Sequence, residues 1–329
     1  MRTIITGGAG FIGLALAHRL IKEAKSGDEI VLVDSLSRHG RHIELERVLE
    51  HECARLIEVD LERSESLAKL PEPVDRLYHL AARIGVSRTM AAPAQILRMN
   101  TLTTMNVFDW FAHHASAEGR LLFASTSEVY SGAKKIDFDL PVPTSEAVPL
   151  VMSDLENPRF SYALAKTWGE VYARHLSTET ESLFASVRYH NVYGPRMGYD
   201  HVIPQIINRV NDAEEPFRII GAGQTRSFCW IEDAAEATYR TMEAAKLKPG
   251  MVVHIGCQEE IAIGDLYELI FKVCQWQPFS REEISPPPGD VSRRCPDTTR
   301  LQSLTGYQPS TPLAEGLTKT VRWYTENAR

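Results

Sequence analysis

The chain has 329 residues, a formal net charge of −7 and a pI near 5.9, with no long block of lysine or arginine. A protein of this size and charge buries a large core, has room for two closely joined domains, and is a poor partner for nucleic acid. Five cysteines (Cys53, Cys229, Cys257, Cys274, Cys295) form no CxxC pair and no Cys/His cluster, which argues against a disulfide framework and against a metal site. Reduced thiols and a cytoplasmic location are the expectation. The opening "MRTIITGG" has neither an h-region nor a cleavage site, and no apolar run approaches membrane-spanning length, so no membrane association is expected.

In chain order, short apolar runs alternate with helical patterns. "RTIIT" (2–6), "EIVLVD" (29–34), "ARLIEVD" (54–60), "DRLYHLA" (75–81) and "RLLFAS" (120–125) read as strands. Between them lie helix-like stretches such as "GFIGLALAHRLIKEA" (10–24) and "PAQILRMNTLTTMNVFDWFAHHA" (93–115). That alternation predicts an α/β fold, a Rossmann-type doubly wound parallel sheet with helices on both faces. From about Gly194 the elements shorten and Pro and Gly fall between them, with a turn-rich linker at Pro286 to Asp290. The expected organisation is a dinucleotide-binding domain over residues 1–190, to which 232–257 returns, and a smaller C-terminal α/β substrate-binding domain over 191–329.

"TGGAGFIG" (Thr6 to Gly13) follows the first strand and opens the first helix. Gly7 allows a tight turn, Gly10 lets a pyrophosphate approach the backbone, and Gly13 lets helix and strand pack closely. Asp34 ends the second strand roughly 20 residues on, where a carboxylate accepts the ribose hydroxyls of NAD and repels a 2′-phosphate. Ser35 follows it in place of a basic residue, which favours NAD over NADP; Arg38 points weakly the other way. Asp60, in "VDL" at the end of the third strand, is expected beside the adenine.

"YALAK" places Tyr162 and Lys166 at i and i+4, on one helix face. A nearby ammonium and a positive nicotinamide favour the phenolate, so the spacing predicts a tyrosine of lowered pKa that removes a proton from an alcohol. In "FASTSEVYS" (Phe123 to Ser131) a buried strand runs into Ser125, Thr126, Ser127 and the carboxylate of Glu128.

"TGGAGFIG", Asp34, "HLAA" (His79 to Ala82), "STSEVY", "YALAK" and "RYHNVYGPR" (Arg188 to Arg196) together resemble the extended short-chain dehydrogenase/reductase superfamily, in particular its nucleotide-sugar epimerases, dehydratases and decarboxylases. "GAGQTRSFCWIEDAAEA" (Gly221 to Ala237) and the segment from Gly289 onward resemble the parts with which such enzymes hold a sugar nucleotide. The resemblance implies NAD as cofactor, held by Gly7, Gly10, Phe11, Ile12 and Gly13 at the loop. Asp34, Asp60, Leu61, Leu80, Ala81, Ala82 and Asn100 complete the cofactor set, with Tyr162 and Lys166. It implies that Thr126 hydrogen-bonds the sugar 4-hydroxyl, that Tyr162 takes its proton, and that Lys166 binds the nicotinamide ribose. Ser127, Asn191, Arg226 and Arg293 would contact the nucleotide sugar, and Arg294 would act at its charged end. A homodimer through a four-helix interface is implied as well.

Glu128 is surplus to simple 4-epimerisation, where the family usually has a small or apolar residue. In 4,6-dehydratases and in UDP-glucuronate decarboxylases a glutamate here serves the chemistry at C5, as a base poised by partial burial. Ser127 stands where dTDP-glucose dehydratases have an aspartate. "ENPRFSYALAK" and "DVSRRCPD" resemble bacterial UDP-glucuronate decarboxylases, with Cys295 in place of their usual lysine. The expected activity is therefore UDP-glucuronate decarboxylation, then 4,6-dehydration, then 4-epimerisation; a non-catalytic NAD-binding protein is the reading from a different class.

Overall fold

The computed structural model describes residues 1–38, 40–136, 140–153, 155–286 and 291–327. Most of the turn expected at Pro286 to Asp290 lies outside the described residues. β1 (Arg2–Thr6), β2 (Glu29–Asp34), β3 (Ala54–Glu58), β4 (Val74–His79), β5 (Ala115–Thr126) and β6 (Leu183–Tyr189) lie in one seven-stranded parallel sheet. The seventh strand, Val252–Ile255, joins at the edge beside β6, giving the order 7-6-5-4-1-2-3. The sheet is buried on both faces, as β1 and β2 with their runs of Ile, Val and Leu require.

Two cores flank it. Leu14, Leu16 and Leu20 of α1 (Phe11–Ile21) pack with Leu45 and Val48 of α2 (Ile43–Leu49) against one face. On the other face, Val107, Phe108 and Phe111 of α4 (Pro93–His114) meet Ala173 and Leu176 of α5 (Phe160–Glu179); α3 (Val86–Ala91) precedes α4. A third core joins α6 (Val202–Asn211), the helix Ile263–Cys274 and the C-terminal helix Leu313–Glu326 through Ile203, Ile206, Leu266, Ile270 and Leu317. Strand order reverses between β1 and β4, so the carboxyl ends of those strands open a crevice, the usual ligand position in this architecture.

A small three-stranded sheet carries the other half of the site. Thr225–Ser227 pairs antiparallel with Glu260–Ala262 and parallel with Arg293–Arg294, which puts Arg226 and Arg294 in register. Among the described residues no helix is long and apolar enough to cross a membrane, and no cluster of ligating side chains could hold a metal. All five cysteines are free.

Candidate active site

The glycine loop closes onto its own strands. Gly7 has φ +69°, and its N–H donates to Val33 O at 2.8 Å. A Cβ on Gly7 would stand 2.9 Å from Ala81 N, and one on Gly13 only 2.3 Å from Gly7 O. The backbone is thus packed too closely for any side chain there, and the amides at the start of α1 are bare to the crevice. Asp34 stabilises the same loop: its two carboxylate oxygens accept from Ala9 N (3.1 Å) and Leu36 N (2.9 Å). Phe11, Ile12, Asp60, Leu61, Leu80, Ala81 and Ala82 line one continuous cavity with these residues, which runs on to Thr126, Tyr162 and Lys166. The bare amides, the carboxylate at the end of β2 and this length of lining fit a dinucleotide.

Tyr162 and Lys166 face the cavity from the first turns of α5. Lys166 Nζ lies 4.6 Å from the centre of the Phe123 ring and 5.9 Å from that of Tyr162. Burial pulls the Lys166 ammonium down to about 7, with the Glu170 carboxylate opposing. Burial, and next the negative charge of Glu128, push the Tyr162 phenol well up. The expectation of a lowered tyrosine counted a positive nicotinamide beside the lysine; the protein's own groups act the other way, burial first and then the Glu128 carboxylate.

The expectation for Glu128 is corrected. It opens the 3-10 turn Ser127–Ile136 after β5, where its N–H donates to Thr126 Oγ1 at 3.2 Å. Its Oε1 accepts from Arg294 Nη1 at 2.7 Å, and its Oε2 lies 3.6 Å from Arg159 Nη2. The Arg294 guanidinium holds this carboxyl below its ordinary range, against the opposing effect of burial, with Arg159 and Arg226 adding to the pull. A carboxylate so held is a weak base, not one poised by burial.

Alternation along the strand separates the paired arginines. Arg294 turns inward to Glu128, while Arg293 turns out and forms a two-pronged ion pair with Glu260, at 2.7 and 2.8 Å. The structure does not bring Arg293 to the site. Asn100 also sits apart from the cavity: its amide clamps the backbone of Arg83, accepting from N at 2.7 Å and donating to O at 3.0 Å. Ser127 is buried at the start of the turn and does not line the cavity. Asn191, at φ +37°, donates to Ser227 O at 2.9 Å and so ties the end of β6 to the small sheet. Arg226 donates to Thr225 O at 2.8 Å.

Sequence reasoning passed over two features. Arg159, three residues before Tyr162, reaches Glu128. Behind the site, Glu170 receives Arg188 at 2.6 and 2.8 Å and is also bonded by Ser125. Tyr162, Lys166 and Glu170 fall at successive i+4 positions, a signal that would have marked Glu170 as a member of the same helix face.

Comparison with known proteins decides the family. The model of the NAD dependent epimerase/dehydratase family matches residues 3–256. The chain belongs to that family. It is an enzyme of the extended short-chain dehydrogenase/reductase type, its cofactor is NAD, and its relatives act on nucleotide sugars. A UDP-N-acetyl-alpha-D-glucosaminuronate decarboxylase from Bacillus cytotoxicus is 30% identical, over 99% of this chain and 98% of the relative. A probable UDP-glucuronate 4-epimerase from Rhizobium meliloti is 27% identical, over 100% of this chain and 98% of the relative. Among solved structures, a Streptomyces venezuelae dTDP-glucose 4,6-dehydratase with NAD bound superposes with a TM-score of 0.84 at 26% identity, covering 99% of this chain and 98% of that one. Family members of comparable similarity thus perform three different reactions.

Proposed function

We propose that this enzyme oxidises a nucleotide sugar at C4 and decarboxylates it at C5, with UDP-glucuronate as substrate. The observation that carries the reading is the ion pair between Glu128 and Arg294, whose carboxylate residue is bonded to Thr126 and acts on Tyr162. A 4,6-dehydratase needs a base strong enough to remove the C5 proton. A carboxylate held low by Arg294 is ill suited to that step, whereas loss of CO2 removes no proton from C5. Ser127 in place of an acid argues against a dehydratase of the dTDP-glucose type.

Thr126 would orient the 4-hydroxyl and Tyr162 take its proton, with Lys166 placed to hold the cofactor ribose and, as an ammonium, to favour the phenolate. Bound NAD supplies the hydride acceptor at C4 and a positive ring that draws the phenol down, and it is regenerated if the hydride returns. Once C4 is a ketone, the bond from C5 to the carboxylate breaks and its electron pair moves into the C4 oxygen as an enolate. Thr126 and Arg294 would stabilise that charge, and C5 then takes a proton. Asn191 and Arg226 would hold the diphosphate, Arg226 as a charge-assisted donor. The reading includes a homodimer through α4 and α5 and a cytoplasmic site of action, in keeping with five free thiols.

Mass spectrometry of the products tests it. With UDP-glucuronate the wild type should release CO2. Glu128→Gln, which loses the charged anchor that positions Arg294, should still reduce NAD on mixing but release CO2 about 100-fold more slowly, and Tyr162→Phe should give no NADH absorbance. Loss of water from a neutral hexose substrate, or a product of unchanged mass, would replace decarboxylation by dehydration or epimerisation.

A further inference from the structure

We propose that Arg159 selects the substrate, forming with Arg294 a clamp of two guanidiniums that recognises a carboxylate on C5 of the sugar. The inference rests on the uronate reading above and deepens it.

Position comes first. Arg159 stands at the start of α5, three residues before Tyr162, so it is anchored to the same helix end as the group that would meet the 4-hydroxyl. Asn157 fixes the turn that leads there, its Oδ1 accepting from Arg159 N at 3.1 Å and its carbonyl from Phe160 N at 2.9 Å. Arg294 arrives from the opposite wall, on the small sheet. The two side chains face different oxygens of the one Glu128 carboxylate, at 2.7 Å for Arg294 and 3.6 Å for Arg159.

The two arms differ in how firmly they are held. The Arg294 side chain is 19% exposed and hydrogen-bonded to Glu128. The Arg159 side chain is 45% exposed, and its contact with Glu128 is an ion pair beyond hydrogen-bond range. Such a contact is worth little, so turning toward a ligand costs Arg159 little. Arg294 is the fixed arm of the clamp and Arg159 the adaptable one.

Charge supplies the second, independent argument. Two guanidiniums face one carboxylate, and Arg226 in the neighbouring strand adds to the positive field at Glu128. With Arg226 assigned to the diphosphate, Arg159, Arg294 and Glu128 leave, among the described residues, a surplus of one positive charge. A neutral hexose leaves that surplus unmatched in a partly enclosed site; a C5 carboxylate cancels it, and its two oxygens suit two donors. Recognition of this kind concerns the charge at C5 rather than the reaction that follows.

The test is equilibrium binding to NAD-loaded enzyme in a Tyr162→Phe background, which prevents turnover, with UDP-glucuronate and UDP-glucose measured by calorimetry. Arg159→Gln should weaken UDP-glucuronate about tenfold to a hundredfold, the range for one charge-assisted hydrogen bond, and leave UDP-glucose within about twofold. Arg159→Lys, which keeps the charge without the fork, should fall between. If Arg159→Gln weakens both sugars equally, or neither, the residue selects nothing and the inference fails while the uronate reading stands. If the Tyr162→Phe enzyme with Arg159 intact binds the two sugars equally well, or binds neither, the uronate reading fails and this inference with it.

Discussion

Lys166 is 2% exposed, and burial brings its ammonium to about 7, far below the ordinary 10.5. A group whose folded pKa is depressed in this way binds fewer protons in the folded chain than in the unfolded one between those two values, so stability rises with pH across that window. A pKa lowered by one corresponds to about 1.4 kcal/mol, which makes the charge at neutral pH a burden on the order of a few kcal/mol. Replacing Lys166 by Met, which fills similar space without the charge, should therefore stabilise the protein near pH 7 while abolishing turnover. The gain should shrink as the pH is raised to 9. Urea unfolding of both proteins at pH 7 and pH 9 measures it, and a Met variant no more stable than wild type at pH 7 would show that the ammonium is adequately compensated where it lies. The same residue shows what the sequence concealed. The i, i+4 spacing with Tyr162 was legible; the Glu128 carboxylate that helps to push the phenol up was not, because it comes from the turn after β5.

At the scale of elements, the long periodic segments were readable and the short ones were not. β1 and β2 have the limits their apolar runs suggest, whereas β3 ends at Glu58 and β4 at His79, two residues short of the expected ends. β5 begins at Ala115 rather than 120, since "ASAEG" has little strand character of its own and pairs only through an irregular register beside Val74. α2 and α3, seven and six residues long, are too short to show a helical period. That Arg293 turns away from the substrate could not be read in the sequence, because its two-residue strand is defined only by its neighbour Thr225–Ser227 and its partner Glu260 is remote in the chain. The glycine loop is the opposite case, legible because its constraints are local. Gly13→Ala would place a Cβ 2.3 Å from Gly7 O, a backbone atom that cannot turn aside. The expected outcome is a loss of about 1–3 kcal/mol of stability from overpacking, together with weakened NAD binding as the loop moves off its strand. Thermal unfolding and calorimetric titration with NAD check both, and unchanged affinity would mean that the loop relaxes without displacing its amides.

Across the whole molecule, the outer side of α5 stands out as apolar. α4 and α5 pack side by side over one face of the sheet, and after Phe108, Phe111, Ala173 and Leu176 have turned inward α5 still carries apolar groups toward its outer side. Trp168 stacks on Tyr172 with ring centres 5.0 Å apart, Trp110 stacks on His114 at 4.9 Å, and Val171 between Trp168 and Tyr172 is 51% exposed. Half-buried Trp168 and exposed Val171, three residues apart on α5, are apolar surface that an acidic monomer gains nothing by showing to water. A second copy applied by a two-fold axis would cover it with the same patch and complete a bundle of four helices. Light scattering at micromolar concentration should give twice the chain mass. Val171→Asp, which buries a charge in this surface, should give a monomer that still binds NAD, because the cavity lies at the other side of α5. A wild-type monomer under these conditions would leave this surface without a partner of its own kind and overturn the dimer.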